Sequence, residues 1–180
     1  STAEDETYKA GNATFTLTVT APTGKTTASD LLIATMDFTD NSGWEMPTDY
    51  TTTTATYTSG DYSITLAGEY KFSSTYTMLK SGSSLTFPTF DKKVIKISVV
   101  GNSGASPKTK ENIYVGSTAV STETTGSVDT NNFIINSSYQ TAGTTYKLQV
   151  STANAQITRI NVYTEPAATV TLNTSGFATY

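Results

Sequence analysis

The densest group of side chains able to do chemistry lies in and just before the stretch "TDNSGWEMPTDY", residues 39 to 50. It holds Asp40, Glu45 and Asp49, with Asp37 two residues upstream and the chain's only tryptophan, Trp44, in the middle. Three kinds of chemistry are open to such a group. Two carboxylates can hydrolyse a glycosidic bond when their separation is right, and Glu69 and Glu111 are further acids able to join them. These carboxylates sit among turn-forming residues, however, and solvated loop acids are the simpler reading. No catalytic residue is therefore assigned, and the chain is expected not to be an enzyme.

Calcium is a more natural use, because that ion accepts several oxygen ligands at loose geometry. Asp37, Asp40 and Asp49 are the candidate ligands of a structural calcium ion, set against the simpler reading of a plain turn. An EF-hand is excluded: Asp40, Ser42, Gly43 and Asp49 match its third, fifth, sixth and twelfth positions, but Phe38 stands where the first ligand belongs and no flanking helices are evident.

The third use is sugar binding. A sugar ring packs its C–H face on an aromatic ring while its hydroxyls seek amides and carboxylates. Trp44, Tyr50, Asn41 and Glu45 supply both kinds of partner within ten residues. Tyr70 and Tyr76, and beyond them Tyr57, extend the platform if their strands lie alongside. The competing reading makes Trp44 a plug that closes one end of the core, since large aromatics are usually mostly buried.

Other chemistries are excluded by what the chain lacks. With no His and no Cys, Ser-His-Asp and Cys-His catalysis cannot be built within it, and the usual zinc ligands are missing. "GNSGASPK" lacks the Gly-Lys-Ser/Thr end of a phosphate-binding loop. The net charge of −4 and scattered basic residues argue against a nucleic-acid partner. No apolar run approaches the roughly 20 residues needed to span a bilayer, and the opening "STAEDETYKAG" has none of the basic and apolar regions of a signal peptide. The Asn-x-Ser/Thr triplets at Asn12, Asn136 and Asn173 arise readily by chance in a chain of this composition.

The elements that must position these residues are strands. Ser and Thr make up about a third of the chain, yet 11 Tyr, 7 Phe and many Val and Ile supply a core that a disordered chain would lack. Threonine is β-branched and suits a pleated surface. Apolar and polar residues alternate in "TFTLTVT", "YSITL", "SLTF", "KVIKISVV", "NIYV", "NFIIN", "YKLQV", "ITRINVY" and "TVTL", the period-two mark of a half-buried strand. "TSGD", "LKSGSS", "GNSGASPK", "TTGS" and "TAGT" separate them as turns. No window shows a 3.6-residue apolar stripe, so no long helix is expected. Many short strands with turns at this spacing predict an all-β fold, an antiparallel β-sandwich. Phe87, Tyr114, Phe133 and Tyr146 are expected in its core. One internal echo, Ile95–Val99 against Thr158–Val162, places Ile97 and Val99, like Ile160 and Val162, on inward faces of two equivalent core strands.

At 180 residues the chain suits one domain. The expected sandwich runs over 29–165. Residues 1–28 form an N-terminal strand or linker, from a neighbouring module or as an edge strand, and 166–180 a C-terminal strand or the start of a following module.

"MDFTDNSGW", "MLKSGSSLTFPTFDKKVIKISVVGNSG", "NIYVGSTAVSTETTG" and "ITRINVY" together resemble a β-sandwich module of large secreted proteins of Bacteroidota, and "ATVTLNTSGFATY" resembles the opening of a module that often follows it. The resemblance implies a jelly-roll-like accessory domain, similar to carbohydrate-binding modules. It further implies an extracellular or cell-surface location, a place in a larger multidomain protein, and a polysaccharide partner held through aromatic rings. A structural or adhesive module, such as a fimbrial-type subunit or spacer, is the alternative. It needs edge strands for pairing but no aromatic platform.

Overall fold

A computed structural model describes residues 29–102, 109–125 and 130–166. The strand expectations for "TFTLTVT" and "TVTL", and the units expected at 1–28 and beyond 166, lie outside the described residues.

The fold is all-β, two antiparallel sheets forming a sandwich. In chain order the strands are β1 (Leu31–Asp37), β2 (Ala55–Ser59), β3 (Tyr62–Ala67), β4 (Tyr70–Ser73), β5 (Tyr76–Leu79), β6 (Ser84–Thr86), β7 (Lys96–Asn102), β8 (Lys110–Val115), β9 (Thr118–Ala119), β10 (Thr124–Thr125), β11 (Thr130–Ile134), β12 (Lys147–Thr152) and β13 (Ala155–Thr164). The first sheet runs β11-β7-β13-β5-β4, with β1 also paired to β13; the second runs β10-β8-β12-β6-β3-β2, with β9 paired to β8. From β5 onward the chain crosses repeatedly from one sheet to the other, as in a jelly roll. The one described helix is a single 3-10 turn, Ser137–Tyr139.

Alternation explains the core. Ile64 and Leu66 of β3, Leu85 of β6, Leu148 and Val150 of β12 and Ile113 of β8 point inward from the second sheet and are buried. From the first sheet come Ile97 and Val99 of β7, with Ile157, Ile160 and Val162 of β13. All join one continuous apolar cluster, and burying each such side chain stabilises the fold by about 1.5–3 kcal/mol before entropy is set against it. The two look-alike segments turn out to be hydrogen-bonded neighbours, with Ile160 opposite Val99 and Val162 opposite Ile97. Phe87, Phe133 and Tyr146 are in the core as expected. Tyr114 is a correction: it is half-buried on the opposite, outward face of β8, because its neighbour Ile113 takes the inward position.

Strand β13 organises its sheet. One edge pairs with β7 along Gln156–Tyr163. The other is divided between β5, at Ala155–Ile157, and β1, at Arg159–Thr164. A bulge between Ile157 and Arg159 accommodates the change.

Candidate functional site

The loop 38–50 is built from its own polar side chains. Asn41 closes it on both sides: its amide Nδ2 donates to the Met46 carbonyl (2.8 Å) and its Oδ1 accepts from the Met46 N–H (2.9 Å). Glu45 bridges that turn in the left-handed region (φ 53°). Asp40 accepts from the Ser42 N–H and hydroxyl, both at 2.9 Å, and these bonds hold its carboxyl below the usual range. Asp37 accepts from the Thr39 N–H and hydroxyl and pairs with Arg159 at 3.0 Å. Burial pushes that carboxyl up, but the hydrogen bonds and the guanidinium outweigh it and leave it below its ordinary value.

These contacts correct part of the sequence reading. Trp44 is a plug: it is 4% exposed, its ring lies 5.1 Å from that of Phe38, and its Nε1–H donates to the Asp37 carbonyl at 2.7 Å. Tyr70 is fully buried, with its hydroxyl donating to the Thr53 carbonyl at 2.6 Å and meeting the Tyr57 hydroxyl at 2.9 Å. Burial, then Tyr57, drives its pKa far up. Neither ring offers a face to a ligand, because each fills the space between the sheets and finds its polar partner there. Asn41 is spent on the loop. Glu45 and Asp49 are exposed. Among the described residues no three His, Cys, Asp or Glu side chains gather as a metal group, so Asp37, Asp40 and Asp49 do not converge.

What remains of that platform lies on the outward face of the first sheet. Tyr50 is 40% exposed, its hydroxyl meets the Met78 sulfur, and the ammonium groups of Lys80 and Lys71 lie 4.1 and 4.8 Å from its ring centre. Tyr76 shares the outward face of β5 with Met78 and is half-buried. Lys80 is in turn paired with Glu69 at 2.5 Å.

Glu111, the other distant acid, is buried in the second sheet and accepts one hydrogen bond, from Asn131 Nδ2 at 3.2 Å. Burial pushes its carboxyl up, and the Asn131 bond opposes this only in part. The folded state therefore holds this proton more tightly than the unfolded chain does. The contribution of this group to stability is greatest below the ordinary glutamate value of 4.5 and is lost as pH rises through the raised folded value. Glu111→Gln, which keeps an acceptor for Asn131, should raise the melting temperature at pH 7 and change it little at pH 4. Thermal unfolding at the two pH values checks this; equal shifts at both would contradict it.

A concave feature lies on the other sheet. A cleft of about 580 Å³ is lined by Thr86, Val115, Gly116, Thr144, Thr145 and Lys147. Its floor continues a row of outward side chains set by the strand register: Thr56 opposite Thr65, Thr65 opposite Thr86, Thr86 opposite Lys147, Lys147 opposite Tyr114 and Tyr114 opposite Ala119. Six strands at about 4.8 Å spacing make this row roughly 24 Å long. Threonine hydroxyls form much of it, Thr56 and Thr65 being bonded at 2.8 Å. The Tyr114 ring lies 5.9 Å from the Lys147 ammonium. Gly116 turns the chain from β8 to β9 with φ +60° and open space around it. Such a surface presents hydroxyl donors and acceptors, one ring and one cation, with no acid in the cleft lining.

Sequence reasoning missed this surface. "YKLQV" and "NIYV" were legible as strands, but nothing local says that Lys147 stands beside both Thr86 and Tyr114.

No family model matches the chain, and no curated protein matches it. Among solved structures, one from a study of the Ruminococcus flavefaciens cellulosome and an expansion in glycan recognition is similar over 72% of this chain and 91% of its own, at 12% identity and a TM-score of 0.36. No helix of the described residues is long and apolar enough to cross a membrane.

Proposed function

We propose that this sandwich is a non-catalytic glycan-binding module, extracellular or at the cell surface, which holds a larger protein against polysaccharide. The observation that supports this is the threonine-rich row on the second sheet, ending in the cleft beside Tyr114 and Lys147. Sugar hydroxyls exchange hydrogen bonds with the threonines while a C–H face packs on the Tyr114 ring. An elongated, shallow surface suits a chain of sugars better than a single one. No bond is made or broken, since the cleft offers no pair of carboxylates.

Affinity electrophoresis against a panel of plant and host polysaccharides tests the reading. Retardation on at least one is expected, and Tyr114→Ala should weaken it about fivefold or more while the protein stays folded. No retardation on any polysaccharide would remove the proposal.

A second reading, a structural or adhesive module, is favoured by one observation. Leu31, Leu32 and Ile134 are 47%, 50% and 61% exposed, and the pairing of Ile134 with Lys96, Lys96 with Tyr163 and Tyr163 with Leu32 sets them in one region of the first sheet. A protein that ignores every polysaccharide and sediments as an oligomer would fit that reading instead.

A further inference from the structure

The charge bookkeeping of the molecule narrows the ligand. Acids outnumber bases by 15 to 11 in the chain, so most basic side chains find a carboxylate partner. Five of the described basic residues are held in ion pairs: Lys80 by Glu69, Lys93 by Glu165, Lys96 by Asp30, Lys110 by Glu123 and Arg159 by Asp37. Among the described residues, Lys71, Lys92 and Lys147 have no acid within ion-pair distance. Of these, Lys147 alone lines the cleft.

Its surroundings are built for a charged guest. Register sets it between Thr86 and Tyr114, and Thr144 and Thr145 close the cleft beside it. Hydroxyls on either side of an ammonium can donate to the same anion, and a charge-assisted hydrogen bond is about twice as strong as a neutral one. The cleft lining contains no carboxylate to compete for the cation or to repel an anion.

We infer that the cleft takes an acidic sugar unit, carrying a carboxylate or a sulfate, with Lys147 as the residue that selects it. This inference rests on the glycan-binding reading and names the chemistry of its ligand. The acidic group sits at Lys147 and the threonine hydroxyls, the sugar ring against Tyr114, and the flanking units of the chain along the row towards Thr65 and Thr56.

The test uses two matched pairs of soluble polymers: polygalacturonate against its methyl ester, and dextran sulfate against dextran. Binding is measured by isothermal titration for the unaltered protein, Lys147→Gln and Lys92→Gln. The second variant removes the same charge from an exposed loop lysine that is not part of the cleft lining. At least one acidic polymer should bind roughly tenfold more tightly than its neutral counterpart, and the pair that does so tells carboxylate from sulfate. Lys147→Gln should lose that preference while Lys92→Gln keeps it, with the melting temperatures of both close to that of the parent. Equal affinity for both members of each pair, or equal losses in the two variants, would overturn the inference. If neutral polysaccharides of the wider panel bind and acidic ones do not, the acidic ligand is wrong and the glycan reading stands. If no polysaccharide binds, both fall.

Discussion

Trp44→Ala should lower the stability of the sandwich by about 3–5 kcal/mol, the usual cost of deleting a buried aromatic, and so reduce the melting temperature by roughly 10 °C. Two contributions combine. The ring leaves a cavity beside Phe38, its neighbour at 5.1 Å, and the Asp37 carbonyl loses the indole donor that satisfies it at 2.7 Å. Trp44→Phe separates them: it keeps most of the packing and removes only the donor, so it should cost about 1–3 kcal/mol. Polysaccharide binding should stay within about twofold for both variants, measured where they are still folded, because the cleft lies on the opposite sheet and distant sites are nearly independent. A Trp44→Ala protein as stable as its parent but unable to bind would place the ligand at the loop after all.

Gly101→Ala should be nearly as damaging, although it adds one methyl group. Gly101 lies in β7 opposite Ile157, where the β13 bulge brings the partner backbone close. A Cβ there would stand 2.0 Å from the Gln156 carbonyl oxygen and 3.1 Å from the Ile157 Cα. Both are backbone atoms of the central strand, held by β7 on one edge and β5 on the other, so neither can yield by changing a rotamer. The expected loss is about 3 kcal/mol, at the upper end for overpacking. Denaturant unfolding measures it. A loss below about 0.5 kcal/mol, the level of an ordinary surface change, would mean that the strands do not approach this closely.

The fold was largely legible because half-buried strands write their burial pattern locally. "YSITL" reads as a strand from its own five residues, and so does "YKLQV". The echo between Ile95–Val99 and Thr158–Val162 was legible too, although not the fact that the two segments pair. Six strands escaped the reading, β1, β2, β4, β5, β9 and β10. In β1 a bulge between Leu32 and Ala34 shifts the alternation, edge strand β2 has no fully buried side chain to mark an inward face, and the other four are two to four residues each, too short for a period to declare itself. The site was less legible. Whether Trp44 faces outward or inward depends on whether a carbonyl waits for its N–H, and the Asp37 carbonyl is put in place by the turn of the chain. The polar row joins residues as distant in sequence as Thr56 and Lys147, and only strand register brings them together. Thr86 or Lys147 alone is an ordinary surface residue; chemistry arises from their adjacency.

The pairing of Leu31 with Thr164 sets the first residue of β1 beside the last residue of β13. In a longer polypeptide under tension, such as one tethered to a fibre and tugged by flow, load entering at one of these residues and leaving at the other would pull across the ladder instead of along it. The hydrogen-bonded pairs would then be stressed in succession, and β1 would part from β13 like a zip being drawn, at far lower force than shearing the whole strand. The same antiparallel register that closes the sandwich would thus make its entrance and exit a mechanical weak point, yielding first while the β7–β13 pairing behind it remained intact.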